Sequence, residues 1–153
     1  MGVREDVARL VKDATASMKG DLKGAVTKLE AAWNLARGEQ DPEEAATVAE
    51  ELARAWSRRK SSARSLYYAY KATKLAPARK TAWTTLAKTC ELVASRIPEN
   101  KHQRARALYR AAASAFEKAA SMTKDPEDRR WLQELARDAK KQGRPPKDQP
   151  TSS

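Results

Sequence analysis

Ala49-x2-Leu52-Ala53-x2-Trp56 recurs as Trp83-x2-Leu86-Ala87-x2-Cys90, and every position is offset by 34 residues. A chain that repeats its packing positions at a fixed period builds its core from stacked copies of one unit, because one copy alone cannot bury its apolar face. The intervening segments repeat as well. Ala25-x3-Leu29-x2-Ala32-x2-Leu35 matches Ser65-x3-Ala69-x2-Ala72-x2-Leu75, and then Ala112-x3-Phe116-x2-Ala119-x2-Met122. Steps of three and four residues belong to one face of a helix, so the repeated unit is a pair of helices.

Composition supports helix throughout. Ala, Leu, Arg, Lys and Glu dominate and Phe occurs once. Such unbranched side chains lose little rotamer freedom in a helix. Periodicity and punctuation predict seven helices, over 3–19, 22–37, 42–59, 62–76, 79–96, 101–123 and 126–142. Asp41-Pro42-Glu43-Glu44 and Asp125-Pro126-Glu127-Asp128 each offer an Asp N-cap, a Pro in the first turn and acids at the positive helix end. Gly38 is placed to close the second helix. The expected organisation is one all-α domain over 1–142, followed by a disordered Pro- and Ser-containing tail over 143–153.

These repeats resemble the tetratricopeptide family, whose unit of 34 residues follows a W-x2-L-G-x2-Y…A-x3-F…P pattern. The unit from Ala46 to Arg79 carries Leu52, Ala53, Trp56, Ala72, Leu75 and Pro77, and Trp83 opens the next. The resemblance implies antiparallel helix-pair repeats wound into a right-handed superhelix. About three degenerate units would be present, with 126–142 as a C-terminal capping helix. The second-helix segments are offset by 40 and then 47 residues, which places extra residues near 37–43 and 94–106.

The chain has no visible catalytic or metal chemistry. With one His and one Cys, a zinc or iron site fails by count. His102 reads as a surface residue at a helix start. Cys90 falls on a packing position, so a buried and inert thiol is expected. No nucleophile has an orienting partner. An enzyme, a metal and a cofactor are therefore not expected. Trp33, Trp56, Trp83 and Trp131 are expected in the core, with Trp131 sealing the end of the stack. No apolar run reaches the ~20 residues needed to cross a bilayer, no secretion signal is evident, and the cytoplasm is the expected compartment.

Charge is where the sequence points to a partner. The net charge is +11. Residues 52–90 carry ten Lys and Arg and no Asp or Glu, whereas residues 1–51 carry seven cations against eleven acids. Lys60, Arg64, Tyr67, Lys71 and Lys74 fall four, three, four and three residues apart, which places them on one face of the fourth helix. The resemblance puts that stripe on the convex surface, where it suits phosphates and a stacked base.

First helices of such repeats line the concave groove. There Arg54, Arg58 and Lys88 would supply charge, and Thr81 and Thr84 hydrogen bonds, to an acidic segment of another protein. The family's clamp for chaperone tails is not expected, because Leu10, Val11 and Ala14 stand where its polar groups would sit. The leading expectation is a non-enzymatic adaptor or scaffold that binds an acidic protein segment. A nucleic-acid-binding module using the convex stripe is the alternative. A homo-oligomer formed through an exposed end of the stack is a third.

Overall fold

The computed structural model describes residues 2–38 and 40–145. The described residues form seven α-helices: α1 (Val3–Ser17), α2 (Leu22–Ala36), α3 (Pro42–Arg58), α4 (Ser62–Leu75), α5 (Lys80–Ser95), α6 (His102–Ser121) and α7 (Pro126–Gln142). A 3-10 turn, Glu99–Lys101, precedes α6. Among the described residues there is no strand, and no helix is long and apolar enough to cross a membrane. Short connections force consecutive helices to run antiparallel. The helices pack in consecutive pairs, and α3 also packs on α5.

Local chemistry explains most boundaries. Asp21, Asp41 and Asp125 each accept a hydrogen bond from the backbone N–H three residues on, at 2.9, 3.2 and 3.2 Å. Each such cap contributes about 1 kcal/mol. Pro42 and Pro126 occupy the first helical position, where the missing N–H costs nothing. The end of α3 departs from expectation in its residue type. Lys60 takes the left-handed conformation at φ 62°, and the Ser61 N–H bonds the Trp56 carbonyl at 2.9 Å while the Lys60 N–H bonds that of Ser57 at 3.0 Å. Gly38, expected to cap α2, does not adopt positive φ; α2 ends at Ala36 and its cap residue is Arg37, which is right-handed.

The core obeys the repeat. Ala25, Ser65 and Ala112 are fully buried, as are Ala32, Ala72 and Ala119, and Leu29, Ala69 and Phe116 fill the position between them. Small residues at equivalent places let paired helices approach closely. Ser65 uses this closeness: its Oγ donates to the Ala53 carbonyl of α3 at 2.9 Å. In the first helices Leu52 and Ala53 repeat as Leu86 and Ala87, all buried. The extra residues near 94–106 form the turn Glu99–Lys101 and the start of a longer α6.

Two corrections concern the C-terminal end. Trp131 is 60% exposed and seals nothing; Leu132, Ala136 and Ala139 are the residues that α7 buries on α6. The helical packing also extends one residue past 142. Gly143 is buried, and its carbonyl accepts from Arg110 Nη1 at 3.0 Å. Residues 146–153 of the expected tail lie outside the described residues.

Candidate functional site

A groove of about 570 Å³ runs between α1, α3 and α5. Arg54, Arg58, Thr84 and Lys88 line it, so four of the five side chains expected to meet a partner are brought together. Lys19, just past α1, adds a fourth cation that sequence reasoning did not include, and Leu92 adds an exposed apolar side chain. Glu51 is the one carboxylate of the lining. The groove therefore holds positive charge on three elements that are remote in sequence.

The structure divides these residues by what already engages them. Arg54 Nη1 lies 2.6 Å from Glu51 Oε1, and its Nη2 lies 3.3 Å from Thr85 Oγ1 and 4.0 Å from Glu50. Its charge is largely answered within the chain. Lys19, Arg58 and Lys88 are exposed and form no ion pair among the described residues, although Lys88 acts electrostatically on Glu91 one turn on. Thr81, by contrast, does not line the groove; its hydroxyl donates to Glu50 Oε2 at 3.3 Å. Ser57 of α3 also belongs to the lining, where it is buried. Its Oγ has no hydrogen-bond partner among the described residues. A buried hydroxyl without a partner costs about 1–3 kcal/mol.

Beside the groove lies an internal clamp that no local pattern announces. Glu50 is buried at 3% exposure in the middle of α3, and Arg79 Nε, 29 residues on, donates to its Oε2 at 2.6 Å. Arg79 Nη1 also lies 3.5 Å from Glu43. Glu50 is thus a joint between α3 and the start of α5 rather than an acid complementing the helix dipole. Farther along α5 the charge changes sign. Glu91 is half-buried one turn beyond Lys88; burial raises its pKa first, Asp138 on α7 raises it further, and Lys88 opposes both.

Four of the five stripe residues, Arg64, Tyr67, Lys71 and Lys74, lie on α4. Lys60, expected on the same helix face, instead precedes the helix in the left-handed turn that closes α3. Lys60, Arg64, Tyr67 and Lys74 are exposed, and Lys71 is half-exposed. Much of it packs on aromatic rings. The guanidinium of Arg64 sits 4.4 Å from the centre of the Trp56 ring, that of Arg59 lies 5.2 Å away, and Lys71 Nζ lies 5.9 Å from the Tyr67 ring. Beneath the stripe Glu30 of α2 accepts from Trp56 Nε1 at 3.1 Å and from the Tyr68 hydroxyl at 3.0 Å. Burial and this carboxylate push the Tyr68 hydroxyl well above its usual pKa. The stripe therefore has a carboxylate below it and a packing role for Arg64.

Cys90 is fully buried, and burial pushes its thiol up to about 11 against an opposing hydrogen bond from Tyr70. It remains a protonated thiol at neutral pH. His102 is exposed at the first turn of α6. Among the described residues no group of three or more His, Cys, Asp or Glu is placed to hold a metal ion. No protein-family model matches the chain, and no curated protein matches it in sequence.

Proposed function

We propose that the chain is a non-enzymatic adaptor of the tetratricopeptide kind that holds an acidic segment of another protein in the groove between α1, α3 and α5. The observation that carries this reading is the lining itself. Lys19, Arg54, Arg58 and Lys88 face a single carboxylate, Glu51, with the Ser57 hydroxyl unpartnered among the described residues beneath them. Arg58 and Lys88 would pair with carboxylates of the partner, the Thr84 hydroxyl would bond its backbone, and Leu92 would pack against an apolar side chain. Arg54, held by Glu51, would shape the wall and contribute less charge. Glu91 and Asp138 would repel an acidic chain at the far end and so fix where it stops.

The experiment is a capture of partners from cell extract by the wild-type chain and by Arg58→Glu with Lys88→Glu, each with and without nuclease. The reading expects a defined protein that survives nuclease and is lost from the double variant. Capture that is equal for both chains would remove the groove from consideration. Both positions are exposed, so unchanged helicity in the variant is expected and is checked by circular dichroism.

A further inference from the structure

We propose that a second basic cleft, between the first turns of α6 and the end of α7, binds the phosphate backbone of single-stranded nucleic acid. The cleft is about 800 Å³, and its charged lining is Arg106, Arg137, Lys140, Lys141 and Arg144, with His102 at its edge and no carboxylate. Among the described residues none of these five cations forms an ion pair, unlike Arg4, Arg9, Arg54 and Arg79. This inference is independent of the groove between α1, α3 and α5, which shares no residue with it.

The fold builds the cleft by a close approach. A Cβ on Gly143 would lie 2.7 Å from Arg110 Cγ and 3.2 Å from the Arg106 carbonyl oxygen, so only glycine lets the end of α7 settle on α6 at this distance. The Arg110 guanidinium locks the arrangement through the Gly143 carbonyl at 3.0 Å. Lys140, Lys141 and Arg144 are thereby held beside Arg106 and Arg137.

Helix stability accounts for only part of this charge. Lys140 and Lys141 complement the negative end of α7. Arg106 stands in the second turn of α6, near its positive end where acids are favoured, and the first turn of α6 has no acid. Brought into one cleft with no carboxylate in its lining, these five like charges repel one another until an anion joins them.

The half-buried Tyr109 in the same lining decides between kinds of anion. A ring set among cations suits a base stacked next to its phosphates, and a compact inorganic anion makes no use of it. From His102 to Tyr109 the helix rises about 10 Å, which is room for more than one phosphate group.

The test is fluorescence anisotropy of a labelled single-stranded 12-mer against the whole chain across a salt series. Wild type should bind with an affinity that falls steeply as salt rises. Lys140→Gln with Lys141→Gln should weaken binding about tenfold at low salt and flatten the log–log salt slope by about 1.4, for two contacts at about 0.7 each. Tyr109→Ala should weaken binding about fivefold or more with the slope unchanged, and Tyr109→Phe should restore it. Circular dichroism confirms that each variant is folded.

Three results would overturn the proposal. One is equal affinity in wild type and the Lys140/Lys141 variant. Another is an equal loss in Lys71→Gln with Lys74→Gln, which would make the attraction a property of net charge. The third is full competition by inorganic tripolyphosphate at matched phosphate concentration together with no effect of Tyr109→Ala, which would assign the cleft to free polyphosphate.

Discussion

Lys60 bears a backbone cost that its neighbours justify. Its left-handed φ closes α3 and turns the chain into α4, yet a β-carbon is disfavoured there. Lys60→Gly should stabilise the fold by about 1 kcal/mol, read as a rise in Tm; a fall would mean that the Lys60 side chain contributes more than its backbone strain removes. Arg79→Ala should act in the opposite direction. It leaves the Glu50 carboxylate buried without its 2.6 Å partner, and a loss of about 2–3 kcal/mol in denaturant unfolding is expected. Glu91 supplies a pH signature. Its pKa is raised in the folded chain, so folding is unpenalised below the unfolded value of about 4.3 and penalised once pH exceeds the folded value. Glu91→Gln should therefore stabilise the protein at pH 7 and give no gain near pH 4, and an equal gain at both would contradict the shift.

At the scale of elements, the helices and their pairing were legible because the signals are local. Asp-Pro starts, three- and four-residue spacing and the offset of 34 residues mark mostly positions that the structure buries alike. However, Trp83, expected in the core like its counterpart Ala49, is only half-buried, and Leu35, which aligns with Leu75 and Met122, is exposed. The failures have a common cause. Trp131 carries the same residue type and helical spacing as a core position, but α7 has no following helix in the described chain to cover that side. Periodicity gives the face and not its neighbour. Trp131→Gln should consequently cost less than about 0.5 kcal/mol, against about 3–5 for Trp33→Ala, which is 5% exposed. Urea midpoints of the two variants check this, and a large loss at Trp131 would place a partner or a second copy on it. The Glu50–Arg79 joint, the Lys19 contribution to the groove and the Gly143 approach were not legible, since each joins residues from different elements with no motif between them. Thr81 was misplaced for the same reason: Glu50 takes its hydroxyl.

Over the whole molecule, the excess of positive charge is not spread evenly. It gathers at the α1, α3 and α5 groove, on the aromatic-backed stripe of α4, and in the cleft between α6 and α7. Sequence located most of the first two, because all their cations but Lys19 sit in one acid-free block. The third depends on two helix ends meeting, and neither end is conspicuous alone. Self-repulsion among such clusters disfavours the empty state, so each gains from a counter-charged ligand. The groove between α1, α3 and α5 is the feature on which the proposed partner binding depends most directly. The measurement is the anisotropy of labelled acidic, neutral and basic 12-residue peptides titrated with wild type, with Arg58→Glu/Lys88→Glu, and with Lys140→Gln/Lys141→Gln. Acidic peptides should bind wild type and the Lys140/Lys141 variant alike and lose at least tenfold in affinity with the Arg58/Lys88 variant. Equal binding of the acidic peptides by all three chains, or a preference for neutral or basic peptides, would contradict it.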